Sequence, residues 1–197
     1  MPAHPESHRL RRTIRSMTSI YPQWMYYPAR TRPPRWAHQI VDVVAAARSR
    51  IDTTTVRGLG SNGVLKELTP GLEALGYTVE TGKTLSGRIV RPVLFGGNGS
   101  ARIQYDVDAI HDELGVVIEV EAGRGTLGNA IYRNLVRSSL IVDARFLALG
   151  VMAGYRRMNS GREVTEADYL SSLALLDAIY ASGRLALPFE GILLFGY

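Results

Sequence analysis

The chain has 197 residues, 46% hydrophobic and 21% charged, which is material for one buried core and a small appendage. It contains no cysteine, so disulfide scaffolds, Cys-zinc sites and thiolate nucleophiles are excluded. The formal charge of +5 is uneven: residues 1–57 hold ten Arg against Glu6, Asp42 and Asp52, while residues 58–197 are slightly acidic.

No apolar run is long enough to span a bilayer, since Leu140 to Gly154 is interrupted by Asp143 and Arg145. A soluble, cytoplasmic protein without a membrane partner is expected. Residues 1–40 read as a basic and aromatic arm, with Arg9, Arg11, Arg12, Arg15, Trp24, Tyr26, Tyr27, Arg30, Arg32, Arg35 and Trp36 broken by four prolines. Cations interleaved with flat rings suit a phosphate backbone and exposed bases. A segment packed across the domain, or a transit peptide, has the same composition. Residues 41–197 are expected to form a single domain.

Helical spacing of Ile40, Val43, Val44 and Ala47 predicts a helix over Ala37 to Ile51. Gly58, Gly60 and Gly63 follow in the G-x-G-x-x-G spacing of a dinucleotide loop, but the segment before them is short and polar for a buried strand, so a plain turn is the better reading. A second helix is predicted from Val64 to Leu75, kinked or restarted at Pro70. Strands then follow at Tyr77 to Glu80, Arg88 to Phe95, Ala101 to Ala109 and Val116 to Ala122, joined by hairpin-type turns that imply antiparallel pairing throughout. The remainder reads as a helix from Leu127 to Val142, a strand from Phe146 to Met152, a polar loop through Asn159 and Gly161, a helix from Glu166 to Ala181, and a strand from Gly191 to Phe195. The order describes an α/β (α+β) chain: a mixed β-sheet flanked by helices on both faces.

The chemistry concentrates between Arg102 and Arg124. In Val116-Val117-Ile118-Glu119-Val120-Glu121, the two glutamates are two residues apart and share one face of a strand. Asp106 and Asp108 share a face of the preceding strand. A turn centred on Asp112 and Glu113 sets Asp106 opposite Glu119; a centre one residue later sets Asp108 there. Either register clusters three carboxylates, and two unit charges ~4 Å apart repel by ~4 kcal/mol at an effective dielectric of ~20. A hard divalent cation, Mg²⁺ or Mn²⁺, relieves this, and metal-assisted phosphodiester hydrolysis is the chemistry that follows. Pairing with Arg102, Arg124 or Arg133 relieves it equally.

An Asp, a hairpin, then an apolar strand bearing acid-x-acid, with helices before and after, resembles the PD-(D/E)XK nuclease superfamily. The segment Val107 to Glu121 is most similar to its restriction endonuclease branch containing BamHI, BglII and BstYI, in which the motif Lys is replaced by Glu or Gln. The resemblance implies a restriction-endonuclease-like fold. It makes Asp108 and Glu119 metal ligands with Asp106 in reserve, and gives Glu121 the Lys position beside the attacking water. It also places Glu67, on the helix before the first core strand, at the rim of the metal site. On the helix after the motif, Asn129, Arg133 and Arg137 form a polar stripe suited to DNA phosphates, with Arg124 at its approach. The implied activity is Mg²⁺-dependent cleavage of duplex DNA by a homodimer. An inactive DNA-binding protein of the same fold, or a repair or recombination nuclease on branched or single-stranded DNA, are the alternatives.

Overall fold

A computed structural model of the chain describes residues 20–82, 84, 86–123 and 129–197. Ten strands and five helices are present among the described residues. In chain order these are β1 (Gln23–Tyr27), α1 (Arg35–Ala46), α2 (Arg48–Ile51), α3 (Ser61–Ala74), β2 (Thr78–Val79), β3 (Ile89–Phe95), β4 (Ala101–Val107), β5 (Ala109–His111), β6 (Val116–Glu121), α4 (Ala130–Ser139), β7 (Phe146–Val151), β8 (Tyr155–Asn159), β9 (Arg162–Glu166), α5 (Asp168–Ser182) and β10 (Gly191–Gly196). Six strands make one mixed sheet in the order β1-β10-β7-β6-β5-β2. β6, β7 and β10 run parallel, while β1, β5 and β2 pair antiparallel at its two sides.

The three parallel strands are near-continuous apolar runs because helices cover both of their faces. On one face Trp36, Ile40 and Val44 of α1 and Leu65, Leu68 and Leu72 of α3 pack on Val116, Ile118, Val120, Leu193 and Phe195. On the other, Ile131 and Leu135 of α4 and Tyr169 and Leu176 of α5 pack on Val117, Leu147, Leu149, Ile192 and Leu194. The expected mixed sheet with helices on both faces is what the chain forms.

Several details depart from the sequence reading. β1 lies inside the region read as an arm: Tyr26 and Tyr27 are buried and in register with Leu193 and Ile192 of β10. Apolar burial of these rings outweighs the basic surroundings that gave the segment its appearance. α3 runs unbroken through Pro70. An interior proline costs about 3 kcal/mol, and burial of Val64, Leu65 and Leu68 before it and Leu72 after it, at about 1.5–3 kcal/mol each, offsets that. The hairpins do not chain together either. β3 and β4 form a separate ribbon, β2 pairs with β5 instead of β3, and the strand expected over Ala101 to Ala109 divides at Asp108. The polar loop through Asn159 is a third sheet, the β8–β9 hairpin.

Candidate metal and nucleic-acid site

The site forms where β5 meets β6. Ala109 faces Ile118, Ile110 faces Val117 and His111 faces Val116. The turn that sets this register ends at Gly115, whose φ is +65° and whose absent Cβ would stand 2.8 Å from the Asp143 carbonyl oxygen; a residue with a side chain fits neither. Continuing the register one step brings Asp108 beside Glu119, so the later of the two possible turn centres is the real one. Beyond β5 the Val120 amide has no strand to bond, and it donates instead to Asp108 Oδ2 at 2.8 Å. The Asp108 carbonyl accepts the Glu80 amide at 2.8 Å. Asp108 is thus pinned from both sides at the joint between ribbon and sheet.

Glu119 and Glu121 project on the α4 side of the sheet, as Val117 does. Glu119 is partly buried, and among the described residues no hydrogen bond or ion pair engages its carboxylate. Its pKa is raised well above the usual glutamate value, first by desolvation and next by the Asp108 charge; Arg137 opposes the shift, Glu121 adds to it and Arg133 opposes it. Glu121 is held differently. Its Oε1 accepts Arg133 Nη2 at 2.7 Å and Asn134 Nδ2 at 2.9 Å. Its backbone carbonyl accepts the buried Tyr197 hydroxyl at 2.6 Å. Burial, then the charges of Glu121 and Asp108, push that phenol well above its ordinary pKa.

Two predicted acids stand elsewhere. Asp106 belongs to the ribbon, opposite Val90, and is ion-paired with Arg88; the strand break at Asp108 separates it from Glu119. Glu67 lies on α3, which packs on the opposite face of the sheet, and meets Arg50 Nε at 2.5 Å. Asn129 is the exposed residue before α4, with φ +58° and no side-chain capping bond. Arg137 sits over the Tyr105 ring, 4.8 Å from its centroid. Arg124 lies outside the described residues. His111 packs edge-on to Tyr77, away from the acids. Gly60 closes the first turn of α3, accepting the amides of Gly63 and Val64, and no strand leads into it.

Sequence reasoning missed Asn134 and Tyr197. Asn134 carries a signal in retrospect, being an amide in line with Ile131, Leu135 and Ser138 on the buried side of α4. Tyr197 lies just past β10 and carries none.

Among the described residues no group of three or more His, Asp or Glu side chains forms a metal cage. The donors that do converge are Asp108 and the unengaged carboxylate of Glu119. This fits Mg²⁺, which is usually held by one or two carboxylates and completes its octahedron with waters and substrate phosphate. The chain offers no sulfur donor of the kind that favours softer metals except methionine.

No family model matches the chain, and no curated protein matches it. Among solved structures it is similar to the one described as "Crystal structure of restriction endonuclease BGLII complexed with DNA 16-mer", at 12% identity and a TM-score of 0.48, over 90% of this chain and 78% of that one.

Proposed function

We propose that this chain is a divalent-metal-dependent endonuclease that hydrolyses phosphodiester bonds of duplex DNA, with a PD-(D/E)XK-type site. The observation that carries the reading is the Glu119 carboxylate: level with Asp108 across the β5–β6 register, partly buried beside the cationic face of α4, and without a hydrogen-bond or ion-pair partner among the described residues. A group in that state lowers its free energy by taking up a cation.

Asp108 and Glu119 would hold Mg²⁺ or Mn²⁺. When bound, such an ion polarises a phosphoryl oxygen, acidifies a bound water and steadies the departing 3′ oxygen. Glu121 orients the attacking water and accepts its proton. Arg137 and Asn129 reach the flanking phosphates, and Arg133, exposed along most of its length, exchanges its bond to Glu121 for one to a phosphate. Cutting both strands of a duplex calls for two sites, and the exposed stripe Tyr132, Val136 and Leu140 on the outer side of α4 offers a self-complementary apolar face for a homodimer.

The test is incubation of the purified protein with phage-length duplex DNA, with Mg²⁺ and with chelator. Discrete fragments lost on chelation support a restriction-type activity. Nicks confined to branched or single-stranded substrates support a repair nuclease. A second reading, a DNA-binding protein that does not cut, is favoured by the saturation of Glu121 Oε1 by Arg133 and Asn134. It predicts salt-sensitive binding and intact DNA under every metal tried.

A further inference from the structure

Asn134 has an unusual place for an amide. It lies in the middle of α4, on the side that buries Ala130, Ile131, Leu135 and Ser138, and is 4% exposed. Asparagine is a weak helix former, and an amide withdrawn from water costs about 1–3 kcal/mol unless it is bonded. A leucine would serve the helix and the core better. What Asn134 does instead is donate Nδ2 to Oε1 of Glu121 at 2.9 Å.

The same oxygen also receives Arg133 at 2.7 Å, but the two holds differ in kind. The Arg133 side chain is 56% exposed, so water, salt and phosphate all compete for it. Asn134 is shielded from all three. Between them they fill the hydrogen-bonding capacity of Oε1, and Oε2 has no hydrogen bond among the described residues.

We propose that Asn134 is a positioning residue: its buried amide fixes Glu121 through Oε1 and reserves Oε2 for what binds at Asp108 and Glu119. Arg133 can then leave for a phosphate without releasing Glu121. The inference rests on the metal-site reading above and deepens it.

The experiment is calorimetric titration of the full chain with Mn²⁺ in the absence of DNA, comparing wild type, Asn134→Leu, Glu121→Gln and the double variant. Leucine keeps the branched outline of the side chain and removes the donor. Loss of a group that orients a metal ligand typically costs about 10–100-fold in metal affinity; Glu121 stands outside the Asp108–Glu119 pair and would act through a metal-bound water, so we expect the low end of that range, about tenfold, for Asn134→Leu. In the Glu121→Gln background the same change should cost less than about twofold, because the group through which Asn134 acts is altered. Unchanged Mn²⁺ affinity in Asn134→Leu, or an equal loss in both backgrounds, overturns the positioning role and leaves the metal site standing. Wild-type protein that takes up no Mn²⁺ at millimolar concentration removes the metal site itself, and the positioning role with it. Should Asn134→Leu fail to fold, Asn134→Ser, which is smaller and still polar, answers the same question.

Discussion

β6 and β7 lie side by side in parallel register, so that Glu119 is level with Leu149 and Glu121 with Val151. Both strands are covered by the same helices, and Leu149 and Val151 are fully buried in the core that α4 and α5 close. The architecture therefore asks for an apolar side chain at these levels, and β7 supplies it. β6 supplies carboxylates and accepts a raised pKa at Glu119 as a result. Neighbouring strands in one sheet thus separate what the fold requires from what the site requires.

The largest effect is expected when β7 is made to imitate β6. Leu149→Glu introduces a buried charge with no metal and no cation provided for it, and should lower stability by about 3–5 kcal/mol, read by urea denaturation. A loss under 1 kcal/mol would mean that this level of the sheet is open to water, and that Glu119 is not under strain. The converse change acts on activity. Glu119→Gln keeps the shape and should reduce metal-dependent cleavage by about a thousandfold or more, roughly 4 kcal/mol of activation free energy, while DNA binding survives. Undiminished cleavage removes Glu119 from the mechanism.

The same variant sharpens the contrast in stability. A carboxyl whose folded pKa lies above its ordinary 4.5 favours the folded state below pH 4.5, and that advantage is lost as pH rises through the folded value. Glu119→Gln should accordingly melt higher than wild type at neutral pH by a few degrees, about 1 kcal/mol for a chain of this size, and the gain should vanish below pH 4.5. Equal melting temperatures at neutral pH would contradict the raised pKa. The smallest effect is expected at Arg137, whose charge opposes that shift. Arg137→Ala should weaken DNA binding about uniformly across sequences and reduce the slope of log K against log salt by about 1, measured by fluorescence anisotropy.

Much of this was legible in the sequence because it follows from period. The alternation in Val116 to Glu121 placed both glutamates on one face, and the helical stripes of α3, α4 and α5 appear close to their expected limits, while the single helix expected over Ala37 to Ile51 divides at Ala47 into α1 and α2. The basic and aromatic residues before Arg35 pointed outward by composition, yet pairing with β10 drew Gln23–Tyr27 into the sheet. Register was open between Asp106 and Asp108, since one residue of turn decides it and no local propensity does. Glu67 shows a different limit: its helix follows from the spacing of apolar residues, but the face of the sheet on which that helix packs is a tertiary fact. Asn134 escaped notice because a single polar residue on a buried stripe gains meaning only when its partner across the interface is known.

The division of the long strand at Asp108 has a mechanical corollary. Val107, the residue before it, is the last of β4, and Ala109, the residue after it, is the first of β5, so two separately bonded sheets share this one residue as their hinge pin. The backbone of the β3–β4 ribbon and that of the six-stranded sheet thus join at the very residue whose carboxylate stands next to Glu119.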